Sequence, residues 1–171
     1  MFKKSPQKVT TLIVCEVQPG CTRTIRQKNH PISADILAAV EELVRHAAKE
    51  KWNVILLENA TRPATFKQVT DQLTKHRRSQ TVCSSFDDGE RGIVLNECAN
   101  VEQSLLHDRL ILCGSGASVH EVAATLFILP EQQLEITQAA CSSKICRKEI
   151  MRQRRRSGRD LTTGFQIKPQ L

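Results

Sequence analysis

Apolar residues along this chain follow two kinds of spacing, and the alternation between them sets the expected fold. Residues 10–17 (Thr-Thr-Leu-Ile-Val-Cys-Glu-Val) form a continuous β-branched and apolar run closed by Pro19-Gly20, the pattern of a strand buried on both faces. From residue 33 to 51 the period changes. Ile36, Leu37, Val40, Leu43, Val44 and Ala47 line one face of a helix, with Ser33 as its N-cap and Pro31 just before it. Residues 52–57 return to an unbroken apolar run. A strand, a long amphipathic helix and a strand in that order predict a right-handed βαβ unit with parallel strands.

The alternation continues. A helix is expected over residues 63–75 with Phe66, Val69 and Leu73 facing inward, then a short strand at 80–83 and a turn at Asp87-Asp88-Gly89. A short extended piece at 92–95 and a helix at 100–106 lead to another buried strand at 109–113. Gly-Ser-Gly-Ala-Ser then opens a helix over 119–129 that Pro130 stops, and 134–137 reads as the last short strand. Residues 141–156 read as basic and partly helical. The pattern predicts an α/β protein, a three-layer α/β/α sandwich with a mostly parallel central sheet. Its expected divisions are an N-terminal extension (1–9), the α/β domain (10–142) and a basic C-terminal tail (143–171).

Composition narrows the class. The 171 residues are 40% hydrophobic and 25% charged with few Gly and Pro, which suits one globular core and not a disordered chain. No apolar run reaches the roughly 18 residues that span a bilayer. The basic start is followed by an apolar stretch too short for a secretory signal, so the expected location is cytoplasmic. Seven cysteines, odd in number and without a Cys-x-x-Cys pair, argue against a disulfide framework and against a structural zinc site. The net charge of +7 lies in one place: residues 144–159 hold eight basic residues against Glu149, leaving 17 of each sign elsewhere. Polyanion attraction is therefore a property of the C-terminal segment.

In an open parallel sheet, ligands bind beyond the carboxyl ends of the strands, which directs attention to residues 16–20, 58–62, 84–89 and 114–120. Gly114, Ser115 and Gly116 run into a helix, and backbone N–H groups there could hold an anion or a developing oxyanion. The alternative is a tight strand-to-helix turn that simply needs small residues. The segment lacks the third glycine of a dinucleotide fingerprint and the lysine of a phosphate loop. His120 sits in the first turn of the expected helix, where the helix dipole favours a neutral imidazole and leaves a base role open beside a structural one. Glu16, ending a buried strand, reads either as a general base or as a solvated or salt-bridged surface carboxylate.

Leu12-Ile13-Val14-Cys15-Glu16-Val17-Gln18 resembles the opening strand of the isochorismatase-like cysteine hydrolases, an apolar run followed by Asp-x-Gln in which the Asp is the base. Cys113-Gly114 and the helix after them resemble that family's Gly-x-x-x-x-x-Cys-Val segment, whose cysteine is the nucleophile. Counted from Gly114, the nucleophile's place falls on His120. Asp87-Asp88-Gly89 is similar to a segment that follows the family's catalytic lysine, which puts the lysine's place at Ser84 or Ser85. The resemblance covers about residues 10–142 and implies an isochorismatase-like fold and a homo-oligomer or partner subunit. It also implies a degenerate triad, because thiolate attack cannot run with Glu, Ser and His in those places. Cys113, inside the strand, reads as a buried, unreactive thiol. The family's metal-binding members would need histidines after the second strand, and residues 58–72 contain none. No metal and no cofactor are expected.

Three functional readings follow. The first is a non-catalytic isochorismatase-like domain serving protein binding or assembly. The second is a divergent hydrolase of small amide or ether substrates using Glu16, His120 and Ser118 or Ser84. The third is a polyanion-binding adaptor working through Arg152, Arg154, Arg155 and Arg156, although so dense a like-charge run often stays solvated. With no Tyr in the chain and no aromatic residue in the run, the stacking surfaces of single-strand binders are absent.

Overall fold

The computed structural model describes residues 9–20, 32–84, 108–159 and 164–170. Among these residues six strands form one sheet: β1 (Thr10–Cys15), β2 (Asn53–Asn59), β3 (Ser79–Ser84), β4 (Arg109–Gly114), β5 (Gln133–Cys141) and β6 (Phe165–Lys168). Their order is β3-β2-β1-β4-β5-β6 and every pairing is parallel. The chain thus builds outward from β1 on one side and then on the other, which puts the topological switch between β1 and β4.

All six residues of β1 are buried, as a strand covered on both faces requires. Leu12 and Val14 point to one layer and pack with Leu37, Val40, Leu43 and Val44 of α1 (Ala34–Lys49). Ile13 and Cys15 point to the other, where Val119 and Val122 of α3 (Gly116–Thr125) and Ile150 of α4 (Arg147–Arg156) cover them. Ser33 caps α1 as its sequence suggests, its Oγ accepting the Ile36 N–H at 3.3 Å.

Several elements differ from the pattern-based expectation, each for an identifiable reason. The helix expected over 63–75 shrinks to α2 (Lys67–Thr70) and a 3₁₀ turn (Asp71–Leu73). Residues 63–66 are committed elsewhere: the Pro63 carbonyl accepts from Gln18, Thr65 N–H donates to Glu58, and Phe66 N–H donates to the Val17 carbonyl. α3 starts at Gly116, three residues before the expected start, and ends at Thr125 well short of Pro130. Its end is set from a distance. The Arg154 guanidinium, only 1% exposed, donates from Nη1 to the carbonyls of Ala123 and Leu126 at 2.8 Å each, and Arg159 donates to Thr125 at 2.7 Å. Those carbonyls would otherwise be buried without partners.

Residues after Ser142, expected as a basic tail, add α4 over the sheet and β6 along β5. Arg154 is therefore a buried capping residue and not a solvent-facing cation, whereas Arg152, Arg155 and Arg156 are exposed. β6 escaped the sequence pattern because it is four residues long, although Phe165 and Ile167 alternate with Gln166 and Lys168 as a strand should. The expected elements at 92–95 and 100–106, Ser85 and the Asp87-Asp88-Gly89 turn lie outside the described residues. Among the described residues, no helix is long and apolar enough to cross a membrane.

One ion cluster ties β4, β5 and β6 together. Glu135 accepts two hydrogen bonds from Arg109 at 2.8 Å and lies 3.1 Å from Lys168 Nζ. Burial alone would push the Glu135 carboxyl up, but the hydrogen bonds and charges of Arg109 and Lys168 outweigh it and hold it below the ordinary range.

Glu135→Ala should cost roughly 1–3 kcal/mol in a urea titration, toward the low end because Arg109 and Lys168 are partly solvated. The sign of its pH dependence follows from the depressed carboxyl. The cluster's contribution is fully present above the ordinary carboxylate value of about 4 and fades as pH falls through the lower folded-state value. The gap between native and variant should therefore narrow in acid; a gap that widens there would contradict this account. Arg154→Met should cost about 2–4 kcal/mol by stranding two buried carbonyls, with hydrogen-exchange protection lost first in α4 and the end of α3. Arg155→Met on the same helix should change stability by less than about 0.5 kcal/mol.

Candidate functional site

The carboxyl ends of β1, β2 and β4 meet at the switch point, and glycine permits the approach. Gly114 has φ +116°, and a Cβ there would run into the Cys15 carbonyl oxygen and Val17. Ser115 N–H donates to that same carbonyl at 2.8 Å. Immediately after β1, Glu16 takes φ +49°, a left-handed conformation uncommon for a residue with a Cβ, and donates its N–H to the Leu57 carbonyl at 2.8 Å. This turn ends the strand two residues earlier than its apolar run suggests and sets Glu16 into the rim, 2% exposed.

Around Glu16 the polar groups are mostly engaged in holding loops. Gln18 is buried and donates to the Asn59 and Pro63 carbonyls while accepting the Asn59 N–H at 2.7 Å, locking the chain after β2 against the chain after β1. Glu58 accepts from both the N–H and the hydroxyl of Thr65. Asn59, also buried, accepts from Thr61 through Oδ1, whereas its Nδ2 has no hydrogen-bond partner among the described residues. Asn59 pairs with Ser84 in the β2–β3 ladder, which places Ser84 at the same rim. Asn59 lies in the strand-end segment 58–62, and the local signal that sets it apart is a polar side chain closing an apolar strand.

The turn into α3 is already tied down. Gly116 N–H donates to Ser142 Oγ at 2.9 Å, Ser142 N–H donates to the Gly114 carbonyl, and Gly116 packs so closely on Ser143 that a Cβ would overlap its hydroxyl. Of the three residues read as an anion cradle, Ser115 and Gly116 thus have their amides committed within the protein. Ser118, on the first turn of α3, is 3% exposed, and its hydroxyl has no hydrogen-bond partner among the described residues.

His120 turns toward α4. Its Nε2 lies 3.6 Å from a Glu149 carboxylate oxygen, too far for a hydrogen bond, and has no hydrogen-bond partner among the described residues. Burial pushes the imidazole below its ordinary value and the Glu149 charge only partly offsets this, leaving a neutral ring at pH 7. The thiols nearby are poor nucleophiles. Burial raises Cys113 well above its ordinary value, with Cys141 adding to the effect, and burial pushes Cys141 up to about 12.

An open groove of about 580 Å³ lies beside the rim, at the carboxyl ends of β5 and β6, between Gln138, Ser143, Lys144, Ile145 and Ile167. Glu16, Ser118 and His120 do not line it. Among the described residues, no group of three or more His, Cys, Asp or Glu side chains is arranged to hold a metal ion. The rim thus offers a buried carboxylate, a buried hydroxyl without a partner among the described residues and a neutral imidazole, while the thiols of Cys113 and Cys141 are buried.

Neither a protein-family model nor a curated protein sequence matches the chain. Solved structures do. The nicotinamidase SaPncA from Staphylococcus aureus superposes with a TM-score of 0.61 at 10% identity, covering 92% of this chain and 99% of its own. The MAR1 ribonuclease from Caenorhabditis elegans gives 0.57 at 15% identity, over 91% of this chain and 77% of its own. An isochorismatase family protein from Desulfovibrio vulgaris gives 0.56 at 11% identity, over 94% of each. At such identities the likeness speaks for the architecture, and the chain has the fold of the isochorismatase-family hydrolases.

Proposed function

We propose that this chain is a non-catalytic isochorismatase-like domain, acting in the cytoplasm as a protein-binding or assembly component. The observation that carries the reading is His120. It stands where the resemblance puts the nucleophilic cysteine, it is neutral, and its neighbouring acid is Glu149 on α4. Among the described cysteines, Cys15, Cys113 and Cys141 are buried, and the exposed Cys83 and Cys146 belong to β3 and to the N-cap of α4, not to α3, which carries the nucleophile's place. The amides of Ser115 and Gly116 are spent on Cys15 and Ser142, which leaves that turn less able to stabilise an oxyanion. Glu16 could still act on a proton, but a base without a nucleophile or a charge stabiliser does not complete the family's reaction. A homo-oligomer, or a complex with a partner subunit, is the form in which such a domain would work.

A second reading keeps the rim catalytic, as a divergent hydrolase of small amide or ether substrates with a non-cysteine site. It is favoured by the buried, unpartnered Ser118 hydroxyl.

The activities named for structurally similar proteins supply the assay. The purified chain, offered nicotinamide and separately a single-stranded RNA, should show no turnover above a blank. His120→Cys should not restore amide hydrolysis, because a thiol alone lacks the family's lysine and aspartate. Turnover that disappears in Glu16→Gln or His120→Ala would overturn the proposal in favour of the hydrolase. In sedimentation, the protein should run at a multiple of its 19.2 kDa chain mass, unchanged in those two variants. A monomer that also captures no protein partner would refute the assembly role.

A further inference from the structure

The excess positive charge of this chain sits on a folded helix, and its arrangement there is directional. At 100° per residue, Lys148, Arg152, Arg155 and Arg156 fall within an arc of roughly 100° on α4, facing away from Ile150 and Arg154. Those two are buried, and the four basic side chains are exposed. With a rise of 1.5 Å per residue, the stripe runs about 12 Å along the helix. Among the described residues no carboxylate pairs with any of the four. Glu149, the helix's one acid, is the neighbour of His120.

The stripe is also rigid. Arg154 fastens the last turn of α4 to the end of α3 through two buried hydrogen bonds, and Arg159 fastens the chain just beyond it. A free tail would lose conformational entropy on meeting a partner; this helix has lost it already on folding.

We propose that the exposed face of α4 is a docking site for the phosphate backbone of a nucleic-acid duplex. Three of the four stripe residues are arginines, whose planar guanidinium suits bidentate contact with phosphate oxygens. A regularly charged, stiff polyanion matches a short, stiff row of cations better than a flexible acidic peptide does. A lipid surface fits less well, because the apolar side of α4 is spent on the core and leaves nothing to insert. Single strands fit less well too. α4 has no aromatic residue, and Phe165 beside it is buried with the Arg147 guanidinium 5.3 Å over its ring, so no base can stack there. The site lies on the outside of the helix layer and does not depend on whether the strand-end rim is catalytic.

The test is binding of short fluorescent duplex RNA and duplex DNA by the full chain, followed by anisotropy over a salt series. With three to four phosphates contacted, log affinity should fall against log salt with a slope of about −3. Replacing Lys148, Arg152, Arg155 and Arg156 together by Gln should weaken binding by at least about tenfold and flatten that slope. A control losing equal charge elsewhere, with Gln at Lys49, Lys51, Lys75 and Arg77, should bind nearly as the native chain does. Arg152→Gln and Arg155→Gln alone should each reduce the slope by about 1, which keeps the test open if the fourfold variant folds poorly. Unchanged affinity in the stripe variants would overturn the proposal. So would tighter binding to single strands, to polyglutamate or to phosphatidylserine vesicles than to either duplex, each of which would reassign the face to that partner.

Discussion

Everything in this molecule answers to one constraint, the complete burial of β1. A parallel strand with neighbours on both sides has no face left for water, so each side needs its own apolar layer. Alternation along the strand divides the work, with Leu12 and Val14 toward α1 and Ile13 and Cys15 toward α3 and α4. The same constraint shapes the rim. Because β1 lies against β2 and β4 along its whole length, polar groups can gather only where the strands stop. The turn at Glu16 and the bare Cα of Gly114 are what allow three strand ends to close together there.

The helix layer over Ile13 and Cys15 has a weakness that the chain repairs with charge. α3 is only ten residues long and ends over apolar neighbours, leaving its last carbonyls away from water. Water cannot serve them, and a buried guanidinium does. Desolvating Arg154 is costly, and the carbonyl oxygens it reaches help to offset that cost because the helix end presents partial negative charge. Two of the arginines in a strongly basic segment are thus part of the architecture, and those pointing outward are left for other work.

Much of the fold was legible in the chain. β1, β2, β4 and α1 announce themselves because each satisfies a local period and a local boundary signal, such as Ser33 before α1 or Pro19-Gly20 after β1. What was not legible is non-local. Helical spacing puts Arg154 on the side of Ile150, but its burial depends on carbonyls 28 and 31 positions away. The helix expected from residue 63 fails because its first turn is claimed by Gln18 and Glu58, partners that periodicity does not see. The rim behaves in the same way. The place of Glu16 at a strand end could be read directly, but the commitment of the Ser115 and Gly116 amides to Cys15 and Ser142 needed three-dimensional neighbours. The direction of the His120 ring was equally invisible, since it depends on a helix the sequence presents as a tail.

The capping of α3 by residues from α4 also dictates an order of events during synthesis. A nascent chain that has emerged only as far as β5 carries the whole apolar sheet, yet α3 has no stop and β5 has an open hydrogen-bonding edge. Arg154 supplies the stop, and the four-residue β6 then covers part of the β5 edge and takes its place as a shorter edge. Until then the exposed edge is a template for pairing with another chain. Residues 147–168 therefore act as a latch on the sheet, and a chain lacking them would keep most of its core while remaining prone to stick to its own copies.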